Sequence, residues 1–581
     1  MALRSLVLFA ALALVGCSSS PTADLVLTNG TVATLDDDHE QVEALAAADD
    51  TLLAVGSADA IDAYVGGDTR VIDLQGRLAV PGFIEGHGHY MGMGQAQMQL
   101  DLLGTSSWGR VVAKVDSSAD ETASGAWVEG RGWHQEKWTS TPERMVRGFP
   151  TNARLNEAAP DTPVYLTHAS GHAAIANDAA LEAAGIGPNT PDPEGGTIVR
   201  DAQERATGVL LETAAGLVQE ALDASRSGMS AADRRARRER QVRLAAEEAL
   251  ANGVTSFQDQ GASFETIRLY REMAERGALD IRMYAMVAQG EVTPETQERL
   301  AEIRTVGAAD QHLTVRAIGE VTVDGALGSR SAWMLEPYDD APNDTGINVT
   351  PMERVREIAE IGLDEDYQIA VHAIGDRANR ETLDLYASLF EAADGRGAER
   401  RWRVEHAQHL HPDDISRFAD LGVMASMQAI HACSDAPYNY QRLGAQRVNQ
   451  GAYLWNTLWA DGAVVGNGTD VPVEKIDPLA SLHCTATRQV PGTDTTFTPD
   501  ETLTRRRALQ SYTINNARMA FEEDVKGTLT PGKLADVTVL SENILTGPPE
   551  RLREATVDYT IGGGWVASAQ EETTDPSTTH A

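Results

Sequence analysis

Short apolar runs recur through the middle of this 581-residue chain, each closed by a polar residue and followed by a stretch of helical periodicity. The first is Phe83-Ile84, which leads to His87 and His89. The others span 253–258, 281–287, 313–324, 367–372, 402–406, 422–427 and 463–466. Most are separated by roughly 20 to 55 residues, the length of one strand-plus-helix unit. Eight such units predict a (β/α)8, TIM-like barrel over 81–524. The first gap, of about 160 residues, is too long for one unit. It holds further strand-like runs at 126–130 and 163–167. Residues from about 95 to 240 are therefore expected to form an inserted α/β subdomain. Short strands separated by turn signals such as Asn29-Gly30 and Gln75-Gly76 fill 24–80, and similar runs fill 525–568. These predict one small β-sandwich domain built from both ends of the chain. Residues 569–581 read as a polar, disordered tail.

Charge narrows the range of partners. The formal charge is −38, with 86 acidic residues against 48 basic ones, and only five of the basic residues are lysines. Nucleic acid is not an expected partner, because binding it needs a basic footprint. The run Arg234-Arg235-Ala236-Arg237-Arg238 reads as a solvated helix face. At the N-terminus, Arg4 and the apolar run Leu6–Val15 form a secretory signal too short to span a membrane. Leu14-Val15-Gly16-Cys17 resembles a bacterial lipobox. That resemblance implies cleavage after residue 16, lipid on Cys17, and an exported lipoprotein held on the periplasmic or cell-surface side of a membrane. Cys433 and Cys484 are too few to imply a disulfide framework, and the sequence leaves their pairing open.

The chemistry collects at strand ends, where barrel enzymes place their catalytic residues. In an extended strand His87 and His89 share one face, which makes half of a metal site. On its own, His-x-His is a weak signal. Glu320, His372, His406 and Asp470 lie within, or close to the ends of, further predicted strands, and such a set converges on one barrel mouth. Histidines with carboxylates suit a divalent metal, zinc first, as one or two ions. Such an ion makes water a nucleophile near neutral pH. Asp470 is placed to serve as general acid/base, moving the proton to the leaving group. His431, just after the seventh strand, is placed to polarise a carbonyl.

Several motifs together resemble one family. Pro81-Gly82-Phe83-Ile84-Glu85-Gly86-His87-Gly88-His89 is similar to the first-strand motif of the amidohydrolase superfamily, with Glu85 where Asp is usual. The segments 324–330, 371–376, 403–408 and 468–473 resemble the amidohydrolase 3, YtcJ-like branch, and 531–536 resembles its closing β-domain motif. The resemblance implies a metal-dependent hydrolase of non-peptide C–N bonds in a small amide, formamide or cyclic amide. It carries metal ligation onto His87, His89, His372 and His406, with Asp470 as ligand and acid/base. Glu320 stands where the branch often has Lys, and is expected to ligate through its own carboxylate; whether it bridges two ions stays open, and a one-metal site with Glu320 in a salt bridge is the alternative. Trp133, His134 and His172 of the insertion, with Asp324 and Arg330, are expected substrate contacts or braces of nearby loops. Expected partners are a small-molecule substrate and the membrane, and a homodimer is left open. Two alternatives stay open: a metal- or solute-binding surface lipoprotein without turnover, and a non-hydrolytic barrel enzyme such as an isomerase.

Overall fold

The eight apolar runs become eight parallel strands: β1 (Phe83–Gly88), β2 (Val254–Ala262), β3 (Arg282–Val287), β4 (Leu313–Thr322), β5 (Gln368–Ala373), β6 (Arg403–His406), β7 (Met424–Met427) and β8 (Val465–Asn467). The computed structural model describes residues 21–36, 40–123, 125–169, 171, 173–193, 195–393 and 397–569. The expected signal segment with Cys17, the residue His172 and the tail from 570 onward lie outside the described residues. Parallel ladders join each strand to the next from β1 to β8. Helices cover the outside with apolar stripes. In Phe264–Glu275, for example, Ser263 caps the first turn by accepting the Thr266 N–H, and Phe264, Ile267, Tyr270 and Met273 turn inward at helical spacing.

The barrel closes by a different device. β1 and β8 share no ladder among the described residues. The Asn516 side chain, on the helix Ile514–Met519, fills the seam. Its Nδ2 donates to Ile84 O on β1 and to Asn467 O on β8, both at 2.7 Å, and its Oδ1 accepts the Asn467 N–H at 3.2 Å. Gly86 makes room for it: a Cβ there would stand 2.6 Å from Asn516 Oδ1. At the mouth the backbone takes over, with Asp470 N–H donating to His87 O and His89 N–H to Val471 O.

The chain ends build the expected sandwich. A four-stranded sheet (51–56, 44–48, 25–28, 70–73) faces a six-stranded one (565–569, 557–562, 537–540, 78–81, 31–33, 41–42). Leu27, Leu45, Val32, Val537 and Ile561 fill the space between them. The insertion is a six-stranded mixed sheet running from Leu100–Asp101 to Ala206–Glu212, with the helix Thr213–Ser225 packed on it. The long helix Ala231–Ala251 belongs to the barrel, since Val242, Ala245 and Ala249 enter the main core. The boundary read at about 240 therefore falls inside this helix. Its arginine run is solvated as expected, with Arg235 pairing with Glu239 and Glu272.

Replacing Asn516 by Ala should cost about 3 kcal/mol, because two buried carbonyls lose their donor. Denaturant unfolding followed by circular dichroism checks this. A midpoint equal to that of the unmodified chain would show that the seam does not depend on this amide.

Candidate metal centre

The strand ends converge as expected. β1 delivers His87 and, one residue past its end, His89. β4 carries Glu320, β5 His372 and β6 His406, and the turn after β8 carries Asp470. Glu320 Oε2 lies 3.7 Å from His87 Nε2, 3.3 Å from His372 Nδ1 and 3.3 Å from His406 Nε2, while its Oε1 is 4.0 Å from His89 Nε2. Asp470 Oδ1 lies 3.5 Å from His87 Nε2 and 3.2 Å from His89 Nε2. Three overlapping groups have their donor atoms within 4.8 Å of one another: His87, His89 and Glu320; His87, His406 and Asp470; Glu320, His372 and His406.

The outward nitrogens of three of these histidines are pinned. His87 Nδ1 donates to Glu405 Oε2 at 2.6 Å, His89 Nδ1 to Gln260 O at 3.2 Å, and His406 Nδ1 to Gln428 Oε1 at 2.7 Å. Each bond fixes the tautomer that turns a bare Nε2 toward the centre, as a metal-binding histidine requires. The result is a set of buried polar atoms without hydrogen-bond partners, His87 Nε2, Glu320 Oε2, His372 Nδ1 and Asp470 Oδ1, all facing one another. Buried polar atoms are seldom left so. Imidazole and carboxylate donors in this density fit a divalent cation.

Electrostatics agree. Burial works against every charge here, yet the surrounding imidazoles hold the Glu320 and Asp470 carboxylates well below the usual range. Burial likewise opposes the His87 imidazolium, but Asp470, Glu405 and Glu320 hold its pKa well above the ordinary value, and those of His89 and His372 are also raised. His406 goes the other way, since burial and the neighbouring His372 ring lower its pKa.

Backbone strain marks the same place. His406, Ala407 and Asp470 all adopt positive φ, at 70°, 42° and 58°. Non-glycine residues in this region cluster at functional sites.

His431, in the first turn of the helix Ala429–Gly451, faces the centre from the β7 side. Its Nε2 lies 3.9 Å from Asp470 Oδ2, and Gln408 Nε2 lies 3.4 Å from its Nδ1. Gln408 thus donates to Nδ1 and leaves Nε2 to carry the proton. Asp324 touches the centre through His372, 3.7 Å away, but its oxygens accept the backbone N–H groups of Trp333, Ile374 and Gly375. It braces the loop after β4. Arg330 pairs with Asp340. Trp133 is not brought to the centre: it is buried in the insertion's own core, its indole N–H on Leu166 O at 3.0 Å. His134 lines a cavity at the insertion's inner edge. Glu85 does not reach the centre either. It accepts the Thr469 N–H, and burial pushes its pKa to about 8.

Sequence reading missed the supports. Arg403 and Glu405 alternate inward along β6, and that period-two pattern beside His406 was a usable signal. Gln260 was not singled out, although both atoms of its side-chain amide are buried and unpartnered close to Gly319.

The sequence profile of the amidohydrolase family matches residues 70–567. The chain belongs to the amidohydrolase family. It is 33% identical over 530 residues to Protein LONG AFTER FAR-RED 3 of Arabidopsis thaliana, covering 90% of this chain and 88% of that protein. It is 27% identical to the N-substituted formamide deformylase of Arthrobacter pascens, over 93% and 97% of the two chains. A metal-dependent hydrolase of Pyrococcus horikoshii shares the fold with a TM-score of 0.70 and 26% identity, over 90% and 99% of the two chains. The protein is thus an amidohydrolase with a divalent-metal site, acting on carbon–nitrogen bonds.

Because the raised histidines must shed protons before a cation can bind, metal uptake should release protons and tighten as pH rises. Glu405→Gln, which loosens His87, should weaken metal binding by about 10- to 100-fold. Competition against a chromophoric chelator across a pH series checks both. Affinity that is flat with pH, or unchanged in Glu405→Gln, would contradict this account.

Proposed function

We propose that this amidohydrolase cleaves the amide or formamide bond of a small molecule, with Asp470 moving the proton and His431 holding the carbonyl oxygen. The observation that carries the reading is the placement of Asp470. One oxygen lies within reach of His87 and His89, and the other faces His431 Nε2. The similarity to a formamide deformylase supports a formamide or related C–N bond as the target.

His87, His89 and Asp470 would hold one ion and His372 and His406 a second, with Glu320 between them. Zinc suits these nitrogen and oxygen donors. A bound divalent cation supplies Lewis acidity and makes water a nucleophile near neutral pH. His431 Nε2–H donates to the substrate carbonyl oxygen and stabilises the charge that develops there. Asp470, kept ionised by its neighbours, takes the proton of the attacking water and gives it to the departing nitrogen.

We also propose that the protein is exported and held at the membrane through Cys17. The Cys433–Cys484 disulfide supports an oxidising compartment. Among the described residues no helix is long and apolar enough to cross a membrane. Cys17→Ser should move the protein from the membrane fraction to the soluble one, and unchanged partitioning would refute the anchor.

The hydrolytic reading is tested on zinc-loaded protein with a panel of N-substituted formamides, small N-acyl amines and cyclic amides, scored by released amine or acid. Asp470→Asn should lower kcat/KM by about 10²- to 10⁴-fold. Glu320→Gln should lower the metal content from two ions to one or none. Full turnover in Asp470→Asn would remove it as the acid/base. Absence of turnover across the panel would favour a protein that binds without catalysis.

A further inference from the structure

His431 is held less firmly than the histidines around it. Its Nδ1 is 3.4 Å from Gln408 Nε2, against 2.6 to 3.2 Å for the pins on His87, His89 and His406. Its place therefore depends on its backbone, the first turn of the helix Ala429–Gly451. That turn is weakly tied to its own helix. Gln428 stands at the N-cap but makes no side-chain cap, because its amide is engaged with His406 Nδ1 and Ser426 O. Downstream, Pro437 has no N–H for the Cys433 carbonyl four residues back, so the helical ladder is interrupted just after the turn. A turn uncapped at one end and cut off by a proline at the other opens readily unless something else holds it.

Cys433 supplies the restraint. It forms a disulfide with Cys484 on the helix Pro478–Thr487. Residues two apart in a helix stand about 200° apart around its axis, so Cys433 holds the turn from the side opposite His431. The partner helix is secure. Asp477 caps it by accepting the Ala480 N–H at 2.9 Å, and Leu479 and Leu482 enter the main core. Thr485, next to Cys484, accepts a hydrogen bond from Asn467 Nδ2 on β8 at 3.1 Å, and Asn467 Oδ1 accepts the Ala429 N–H at 2.9 Å. The disulfide thus joins the His431 turn to a helix tied to β8, the strand that leads to Asp470. His431 Nε2 and Asp470 Oδ2 lie 3.9 Å apart at the end of this connection. Both cysteines are buried, at 2% and 3% exposure, so the closed bond is shielded from attack by a thiol.

We propose that the Cys433–Cys484 disulfide is the positioning element for His431, fixing it against Asp470, and that the chain with both thiols free loads metal but turns over slowly. This rests on the role given to His431 above. Closing the bond removes two electrons and two protons from the thiols, which a disulfide oxidant takes up as it leaves in the dithiol form. An oxidising compartment supplies such oxidants. The metal-binding histidines His87 and His89 sit on β1 and its end with pins of their own, from Glu405 and Gln260. Metal loading and catalytic competence are then separate events: the first follows folding, and the second follows oxidation. The enzyme stays slow wherever thiols are kept reduced.

The test compares the unsubstituted, zinc-loaded protein with Cys433→Ala/Cys484→Ala and with the dithiol form prepared under reductant throughout. A disulfide also restrains the unfolded chain, so the deciding readouts are local ones. Hydrogen exchange read by mass spectrometry should show residues 429–436 exchanging at least about tenfold faster without the bond, with the barrel strands unchanged. Metal content should stay the same. On the best substrate of the formamide and amide panel, kcat should fall at least about tenfold with KM little changed, as expected when a donor to the developing oxyanion is misplaced. In a His431→Ala background, removing the bond should lower kcat no further. Unchanged exchange over 429–436, or an equal loss of kcat in the His431→Ala background, would overturn the proposal. Faster exchange in a protein that hydrolyses nothing in the panel would keep the staple and count against the reaction, whereas hydrolysis at full kcat without the bond would keep the reaction and sink the staple.

Discussion

The centre depends on a charge pair sealed inside the barrel. Arg403 and Glu405, both buried on β6, are joined by two hydrogen bonds of 2.6 and 2.9 Å. Arg403 also donates to Gly86 O on β1, Ser426 Oγ on β7 and Gln258 Oε1 on β2. One side chain thus ties together four strands below the metal ligands. Desolvating such a pair is costly, and removing either partner would strand a charge in the interior, at a cost of about 3–5 kcal/mol. What the arrangement yields is orientation. Glu405, held ionised by Arg403 and His87, fixes the His87 ring and so the direction of its free nitrogen.

The same logic extends outward. Three of the histidines at the strand ends have their second ring nitrogen tied to a neighbouring strand or loop: His87 to Glu405 on β6, His89 to Gln260 on β2, His406 to Gln428 beyond β7. The closure of the barrel is part of this scheme. β1 brings two ligands and β8 leads to a third, so the seam between them has to be held to a fraction of an ångström. Backbone pairing gives way there to the Asn516 amide and the bonds around Asp470. Past the end of β8 the chain turns at Asp470, whose φ is 58°.

Much of this was legible in the sequence, and the limits have physical causes. The eight strands were readable because buried parallel strands are short apolar runs, and the ligands because barrel chemistry sits at their ends. Asn516 left no local signal: a polar residue in a six-residue helix gives no hint that it plugs a seam against strands hundreds of residues away. Trp133 drew attention as an aromatic beside a histidine, whereas the structure buries it in the insertion's core and turns the Arg131 guanidinium to Ala169 O. The two would share a face in a regular strand, but the register shifts between them, where Gly132 has φ of 107°. An irregularity of this kind re-aims side chains in a way that period-two reading does not capture. The insertion's far boundary, read at about 240, falls inside the arginine-rich helix Ala231–Ala251, whose second half packs into the barrel core.

Charge on the molecule as a whole bears on how a charged solute would reach the centre. A surface with a formal excess of 38 negative charges repels anions at long range. Lys137 and Lys475 stand where the insertion meets the turn after β8, each with an acidic neighbour, Glu474 and Asp101, at 3.9 Å. Added salt screens the long-range repulsion, since the Debye length is about 8 Å at physiological ionic strength. It acts far less on the Arg403–Glu405 pair, which is already removed from water. Ionic strength would therefore govern the arrival of a charged solute, while the orientation that the buried pair gives His87 would change little. The barrel can keep its chemistry unchanged while substitutions on the insertion alter what reaches it.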